Sequence, residues 1–424
     1  MRDKSATLNA KARDLSPGGV HSNVRLLGPQ VFMDRAKGSR IVDVDGNEYI
    51  DYLLGQGPNF LGHAPEVVLD AVDEACRNGM IFGAQHPLEV DAGSVVLEAL
   101  QWPDQLRFAM TGTEAVQAVL RAARAHTGRT KFVRFAGQYH GWMDNVLVTV
   151  DDSGSAALAS EGQMESHLKD SFMLPWNDLG ALESLLAERG DEVAAVITEP
   201  AMLNSGAIVP REGFLEGIRA ACDEYGVVLI FDEVITGFRV ALGGAVERFG
   251  VTPDLATYGK AMAGGWPVAA FAGKREFMEG FGTGRINHSG TFNASVMACA
   301  ACNATVRYLI NEPPYARLEL LGIRLQDGLR SLAVENGMAV NIQGLPMAFH
   351  FGFGAGPVTD YASLQKLDLA AYGAFSDVLV EHGVWVTGRG IWYVSAAHSE
   401  ADVDETLERV ERAMKEYVAK GDRS

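Results

Sequence analysis

At 424 residues the chain is longer than one compact core usually supports, so two domains are the default. A hydrophobic fraction of 47% and a charged fraction of 21% are ordinary for a soluble globular enzyme, and the formal charge of −18 argues against nonspecific nucleic-acid binding and against anionic membrane surfaces. No apolar run is long enough to span a bilayer, and the charged N-terminal stretch lacks the apolar centre of a signal peptide.

Residues 3–15 read as a short amphipathic helix stopped by Ser16-Pro17-Gly18-Gly19. Arg25 follows in a turn-rich stretch unsuited to a core strand. Residues 31–53 alternate apolar and polar side chains around Asp45-Gly46, a hairpin signal that makes Asp43, Asp45 and Asp51 turn and structural residues. His63, just before a helix start, also reads as structural. A short strand over 106–110 leads through Thr111-Gly112-Thr113-Glu114 into an apolar-periodic helix. That order presents backbone N–H groups and a helix dipole to an anion such as phosphate; the bland alternative is a plain N-cap. The next strand and loop, KFVRFAGQYHGWMDN, carry Tyr139 and His140. Residues 151–170 are rich in Ser, Gly and Ala without a firm period and read as a long mobile loop. VAAVIT is a buried strand running into Glu199-Pro200 and a loop that holds Asn204.

The run VVLIF ends abruptly in Asp232 and Glu233, the pattern of a buried parallel strand with two acids at its carboxyl end. Ligands of open α/β sheets bind at that edge, and a buried carboxylate there needs a cation or strong hydrogen bonds. Lys260 follows between Tyr258-Gly259 and Ala261-Met262-Ala263-Gly264-Gly265, where small residues give its amine room. A desolvated lysine has a lowered pKa and attacks carbonyls. An aspartate at a strand end and a lysine in a Gly-rich turn are parts of a pyridoxal phosphate site: the lysine forms the Schiff base, and the aspartate keeps the pyridine nitrogen protonated. Ser289-Gly290-Thr291 is a further small-residue turn before an Ala-rich helix. In that helix Cys299 and Cys302 read as core residues, so neither a metal centre nor a disulfide framework is expected, and a cytoplasmic setting fits. Beyond Asn311-Glu312-Pro313-Pro314 the chain reads as α+β, with a hairpin over 338–353, a helix from about 363 to 383 and an amphipathic terminal helix. Arg389 stands in a turn between Gly388 and Gly390. No GxGxxG follows a first strand, which excludes a Rossmann dinucleotide enzyme.

DEVITGFR (232–239) and YGKAMAGGWPVAAFAG (258–273), preceded in order by TGTEA, YHG and EP, resemble the class-III aminotransferases. The likeness is to the subgroup of glutamate-1-semialdehyde aminomutase, β-amino acid aminotransferases and D-phenylglycine aminotransferase, and it runs from Pro17 to His398. It implies the α/β fold of PLP fold type I. A large domain (61–310) would carry a mostly parallel seven-stranded sheet, and a smaller α+β domain would form from both termini (1–60 and 311–424). It also implies site roles. Lys260 and Asp232 are the catalytic pair. Gly112 and Thr113 hold the cofactor phosphate, Tyr139 and Val234 cover the two ring faces, and Asn204 lies near the phenolic oxygen. His140 supports the ring or its neighbours. Thr291 reaches the phosphate in the other subunit of a homodimer. The family's usual Gly-Asn-Pro reads Phe292-Asn293-Ala294-Ser295 here, which displaces the following helix start. Arg25 and Arg389 are candidate binders of a substrate carboxylate, and Gln56 stands where the aminomutase has an aromatic pocket residue. The favoured activity is ping-pong transfer of an amino group from a β-amino acid or aryl D-amino acid to a keto acid. The alternative is the glutamate-1-semialdehyde aminomutase reaction, which feeds tetrapyrrole synthesis. PGGV with Arg25 and the long loop support it; Gln56, the Arg389 turn and the FNAS segment oppose it. A racemase is a third enzyme reading, and intact Lys260 and Asp232 oppose a non-catalytic binding protein.

Overall fold

The computed structural model describes residues 2–151 and 153–421. They fold as two units: the larger takes Glu66–Tyr315 and Thr359–Leu364, the smaller the chain up to Pro65, Ala316–Val358 and the chain from Gln365 onward.

The larger unit is built on a seven-stranded sheet. Across it the strands run Gln105–Ala109, Ala269–Gly273, Leu255–Tyr258, Val228–Glu233, Val193–Thr198, Lys131–Phe135 and Ser171–Leu174. Only Ala269–Gly273 is antiparallel to its neighbours. The two central strands, Val193–Thr198 and Val228–Glu233, are buried at every residue. Apolar runs without alternation suit them because both faces of a parallel sheet are covered. The Gly112–Thr127 helix buries Ala115, Val116, Ala118, Val119, Leu120, Ala122 and Ala123, mostly small side chains that let it lie close. Because six strands point the same way, the segments leaving their carboxyl ends emerge on one edge. Those segments carry Thr111, Tyr139, Glu199, Val234 and Lys260.

The smaller unit holds a four-stranded sheet, Met33–Lys37, Arg40–Asp43, Glu48–Asp51 and Val384–Trp385, the last pair parallel. A three-stranded antiparallel sheet of Val340–Leu345, Ala348–Phe353 and Ile391–Tyr393 accompanies it. The N-terminal acids are spent on turns. Asp43 accepts from the N–H groups of Asp45 and Asn47 and from the Tyr49 hydroxyl. Asp51 accepts from the N–H groups of Leu53 and Leu54 and pairs with His63 Nε2 at 2.6 Å.

Several boundaries differ from the sequence reading. Residues 61–65 side with the smaller unit because Gly38 and His63 exchange both backbone hydrogen bonds. Thr359–Leu364 sides with the larger unit: Asn177 Nδ2 donates to Thr359 O at 2.8 Å, and the Tyr361 ring packs on Gly137. The single helix expected over about 363–383 is two, Tyr361–Leu364 and Leu369–Glu381, because the Asp368 side chain caps the second by accepting from Ala371 N–H. Within 151–170, read as a long mobile loop without a firm period, lie a strand of a short hairpin, Val148–Val150 with Ala156–Leu158, and a 3₁₀ turn, Glu165–Asp170; Asp152 lies outside the described residues. Gln163 closes this segment, its Oε1 accepting from Ala159 and Ser160 N–H while its Nε2 donates to the carbonyls of Asp144 and Leu147. Three-residue strands are too short to show a period. No helix among the described residues is long and apolar enough to cross a membrane.

Gly322, in the Tyr315–Glu335 helix, is crossed by the turn at Pro346: an added methyl would lie 2.0 Å from Pro346 O and 2.4 Å from its carbonyl carbon. Backbone cannot step aside as a side chain can. Gly322→Ala is therefore expected to cost about 1–3 kcal/mol, read as a lower urea midpoint; an unchanged midpoint would contradict this packing.

Candidate active site

Asp232 lies near the end of a fully buried strand and is itself 5% exposed. Strand register decides its surroundings. Val228–Glu233 pairs in parallel with Leu255–Tyr258 so that Asp232 lies opposite Thr257. Thr257 Oγ1 donates to Asp232 Oδ1 at 3.1 Å, and the N–H of Val234 donates to the same oxygen at 3.2 Å. His140 Nδ1 meets Oδ2 at 2.8 Å. His140 is buried, and its Nε2 has no hydrogen-bond partner among the described residues. Burial lowers its pKa, against the opposing pull of Asp232. His140 is thus a support for Asp232. Glu233 points to the opposite face, as strand alternation requires. There it accepts from Ala245 N–H at 2.6 Å and from Thr236 Oγ1 at 3.1 Å.

The Thr111 turn forms a capping box. Thr111 Oγ1 accepts from Glu114 N–H, and Glu114 Oε2 accepts from the N–H groups of Met110 and Thr111. With Thr111 and Glu114 so occupied, the N–H groups of Gly112 and Thr113 and the Thr113 hydroxyl have no partner among the described residues. These are the orphan donors of a helix N-terminus. The turn is tightly walled. A methyl on Gly112 would stand 2.9 Å from Val234 Cγ2, and one on Gly141 would stand 2.6 Å from Thr113 Oγ1. Val234 thus packs on Gly112, and the turn after Tyr139 packs on Thr113.

Lys260 opens a short 3₁₀ turn, Lys260–Ala263, just past the Leu255–Tyr258 strand. It is half-buried, and its φ of +43° is left-handed, a conformation that costs a non-glycine residue about 1–3 kcal/mol and must be held by its surroundings. The preceding Gly259 lies beside Val234, where an added methyl would be 3.5 Å from Val234 Cγ1. Tyr139 is 48% exposed; its N–H donates to Glu199 Oε1 at 2.9 Å. Asn204 N–H donates to Glu199 Oε2 at 3.3 Å.

Asp232, Val234, Gly112, Thr113, Tyr139, Asn204 and Lys260 thus share one sheet edge, linked by contacts through Val234, His140, Gly141 and Glu199. Thr291 is not drawn in. It is exposed, in the turn before the Val296–Asn311 helix. That helix begins after Ala294, whose φ is +55° and whose carbonyl accepts from His86 Nε2. Arg25 and Arg389, both exposed, and half-buried Gln56 belong to the smaller unit. Sequence reading passed over Thr257 and Gln138. The signal for Thr257 was a hydroxyl in an otherwise buried strand, three residues before Lys260.

Residues 22–414 match the class-III aminotransferase family. The chain is 41% identical over 422 residues to a glutamate-1-semialdehyde 2,1-aminomutase of Anaeromyxobacter sp., covering 97% of this chain and 98% of that one. Among solved structures it is similar to a transaminase with PLP bound, with a TM-score of 0.92, 29% identity and 100% of both chains covered. It is also similar to a β-phenylalanine aminotransferase from Variovorax paradoxus, with a TM-score of 0.89, 29% identity, and 98% of this chain and 95% of that one covered.

Burial pushes the Glu233 acid up to about 7, from 4.5. The folded protein therefore holds this proton more tightly than the unfolded chain does. The stabilisation is complete below about pH 4.5 and is lost as pH rises through 7. Glu233→Gln, which keeps an acceptor for Ala245 N–H, should raise the melting temperature by several degrees at about pH 8 and leave it unchanged near pH 4.5. A gain of equal size at both pH values would refute the titration.

Proposed function

Since this chain belongs to the class-III aminotransferase family and is a pyridoxal-phosphate-dependent enzyme, we propose that it performs the 2,1-amino shift of glutamate-1-semialdehyde. The observation that carries this reading is the 41% identity, over nearly the full length of both chains, to an aminomutase of that name. It reverses the preference that the Arg389 turn creates in the sequence. The Pro17–Gly19 turn followed by exposed Arg25 is consistent with it.

The residues of the larger unit fit an aromatic phosphate ester. The N–H groups of Gly112 and Thr113 at a helix start, without partners among the described residues, suit the phosphate, and the walls at Gly112 and Gly141 leave no space for larger side chains there. Bound there, pyridoxal phosphate supplies an aldehyde and an electron-withdrawing ring that stabilises charge on an adjacent carbon. Asp232, oriented by His140, Thr257 and Val234, would hold a proton on the ring nitrogen. Val234 and Tyr139 would cover the ring faces and exclude water, and Asn204 would approach the phenolic oxygen. Lys260 Nζ would carry the covalent link at rest and, once displaced by an incoming amine, move the proton at the amine-bearing carbon. Arg25 would bind the substrate carboxylate with its planar fork.

A homodimer in which Thr291 reaches the neighbouring site is supported by exposed apolar side chains around that turn. Val296 N–H donates to Met80 O and His86 Nε2 to Ala294 O, which ties the segment bearing exposed Met80, Ile81 and Phe82 to the turn bearing exposed Phe292. Such a patch marks an interface. We assign the enzyme to the cytoplasm, in keeping with four unpaired cysteines, three of them buried.

One observation favours a second reading, transfer from a β-amino acid or aryl D-amino acid to a keto acid. Arg389 is exposed in a turn pinned by the Phe351 N–H to Gly390 O hydrogen bond, and the chain is similar to a β-phenylalanine aminotransferase.

The readings separate in one assay series. Glutamate-1-semialdehyde given alone should yield 5-aminolevulinate, with activity falling about 10²–10⁴-fold in Lys260→Ala and sharply in Arg25→Ala. If product forms only from a β- or D-aryl amino acid with a keto acid present, and Arg389→Ala abolishes it, the aminomutase reading fails. Phe82→Asp with Phe292→Asp should yield monomers by sedimentation, with weakened cofactor binding; a dimer with full cofactor affinity would refute the shared site.

A further inference from the structure

We propose that Glu199 is a positioning residue that fixes Tyr139 and Asn204 together, and that it does so only as the ionised carboxylate. The proposal rests on the reading of Tyr139 and Asn204 as cofactor contacts.

Glu199 leaves the carboxyl end of the Val193–Thr198 strand and is 3% exposed. Its two oxygens serve different loops: Oε1 accepts from Tyr139 N–H, and Oε2 accepts from Asn204 N–H. These two partners are backbone N–H groups, which cannot reverse into acceptors; the Asn204 side chain also hydrogen-bonds the Glu199 carboxylate. An ionised carboxylate offers acceptors on both oxygens, whereas a protonated carboxyl group or an amide presents a donor on one side. With the amide one of the two N–H groups would face a donor, and with the protonated carboxyl group it would meet a hydroxyl oxygen, a much weaker acceptor than a carboxylate, in a buried place where a poorly met donor is costly.

The grip is reciprocal. Gln138 Oε1 accepts from Glu199 N–H at 3.0 Å, while Gln138 Nε2 donates to Glu199 O at 3.2 Å and to Thr198 Oγ1 at 3.1 Å. The side chain of residue 138 thus holds the backbone of residue 199, and the side chain of residue 199 holds the backbone of residue 139. The loop that presents Tyr139 and the loop that presents Asn204 are locked to one another, and the acid of Glu199 is the titratable part of the lock.

Asp232 is the charge that acts on this acid, and two further titratable or charged groups stand on the segment that carries Tyr139. Asp232 stands at the end of the adjacent strand. His140 is hydrogen-bonded to Asp232. Buried Arg134 donates to the carbonyls of Val146 and Gln138. Burial, and then the charge of Asp232, push the Glu199 acid up to about 7. Above that pH both N–H groups are held; as pH falls through it, one is released.

The test uses pyridoxamine 5′-phosphate, which makes no covalent bond to Lys260, titrated into cofactor-free dimer. Glu199→Gln should bind it about tenfold more weakly than wild type at about pH 8.5 and about equally at about pH 5.5, because only the wild type changes with pH. Taking the ratio of the two proteins cancels the ligand's own titration. In the wild-type holoenzyme the backbone N–H resonances of Tyr139 and Asn204 should shift together with a midpoint near 7, a readout that stands even if the variant misfolds. A ratio that does not vary with pH, or resonances that do not move, overturns the role of Glu199. If Tyr139→Ala and Asn204→Ala bind the probe as wild type does, the assignment of those two residues fails, and the proposal fails with it. If they bind weakly while the Glu199→Gln ratio is flat, the assignment stands and only Glu199 is overturned.

Discussion

A carboxylate at the end of a fully buried strand is tolerable only if hydrogen-bond donors converge on it. At Asp232 the donors come from three separate segments: Thr257 on the next strand, Val234 on the outgoing turn, and His140 on a loop two strands away. Most of them cannot be supplied locally by a helix or hairpin. The site therefore depends on the parallel register of the sheet, which sets Thr257 opposite Asp232 and makes Lys260 leave the sheet just beyond it. Sliding this pairing by one residue would turn Thr257 to the other face and leave Asp232 short of a donor.

Around that carboxylate two further acids, Glu199 and Glu233, are buried and carry pKa values pushed up to about 7. They differ in what they hold. Glu233 faces away and fastens the Gly244–Phe249 helix through Ala245. Glu199 faces the loops that bear Tyr139 and Asn204. Ordinary folding chemistry would place apolar groups at such positions. Acids in this density, beside a lysine held in a left-handed backbone, are the local inconsistencies that accompany a working site.

The parts of this arrangement visible in the sequence were those whose signal is local. The apolar run broken by two acids, the lysine among small residues and the Thr-Gly-Thr-Glu turn each declare themselves within a few positions. What escaped depends on pairing across distance. Nothing in LATYGK says that Thr257 will face Asp232, because register is a property of two strands. Gln138 beside a conspicuous Tyr-His-Gly read as filler, though its amide holds a segment sixty-one residues away. The short strand and 3₁₀ turn within 151–170 went unseen because strands of three residues give no period to detect. The helix expected over about 363–383 was overextended because the cap at Asp368 is set by a hydrogen bond that its sequence only permits. Arg25, Gln56 and Arg389, on which the two substrate readings turn, stand in turns and a short 3₁₀ segment, where neighbouring residues carry no local signal of a ligand.

The smaller unit is assembled from stretches that are far apart in the chain. Its four-stranded sheet is closed by Val384–Trp385 against Glu48–Asp51, and Arg40 is tied by ion pairs to Asp402 and Glu405. On the ribosome, the N-terminal hairpin therefore waits while most of the protein is made, on the order of tens of seconds at bacterial elongation rates. During that interval the Glu48–Asp51 strand is an open edge, the kind of surface that recruits other strands. The larger unit lies almost wholly within the intervening stretch and can reach its fold first. The order of synthesis thus allows a nascent state in which the larger unit is complete while the smaller one still lacks its closing strand, and in that state the open edge is available to chaperones and to other chains.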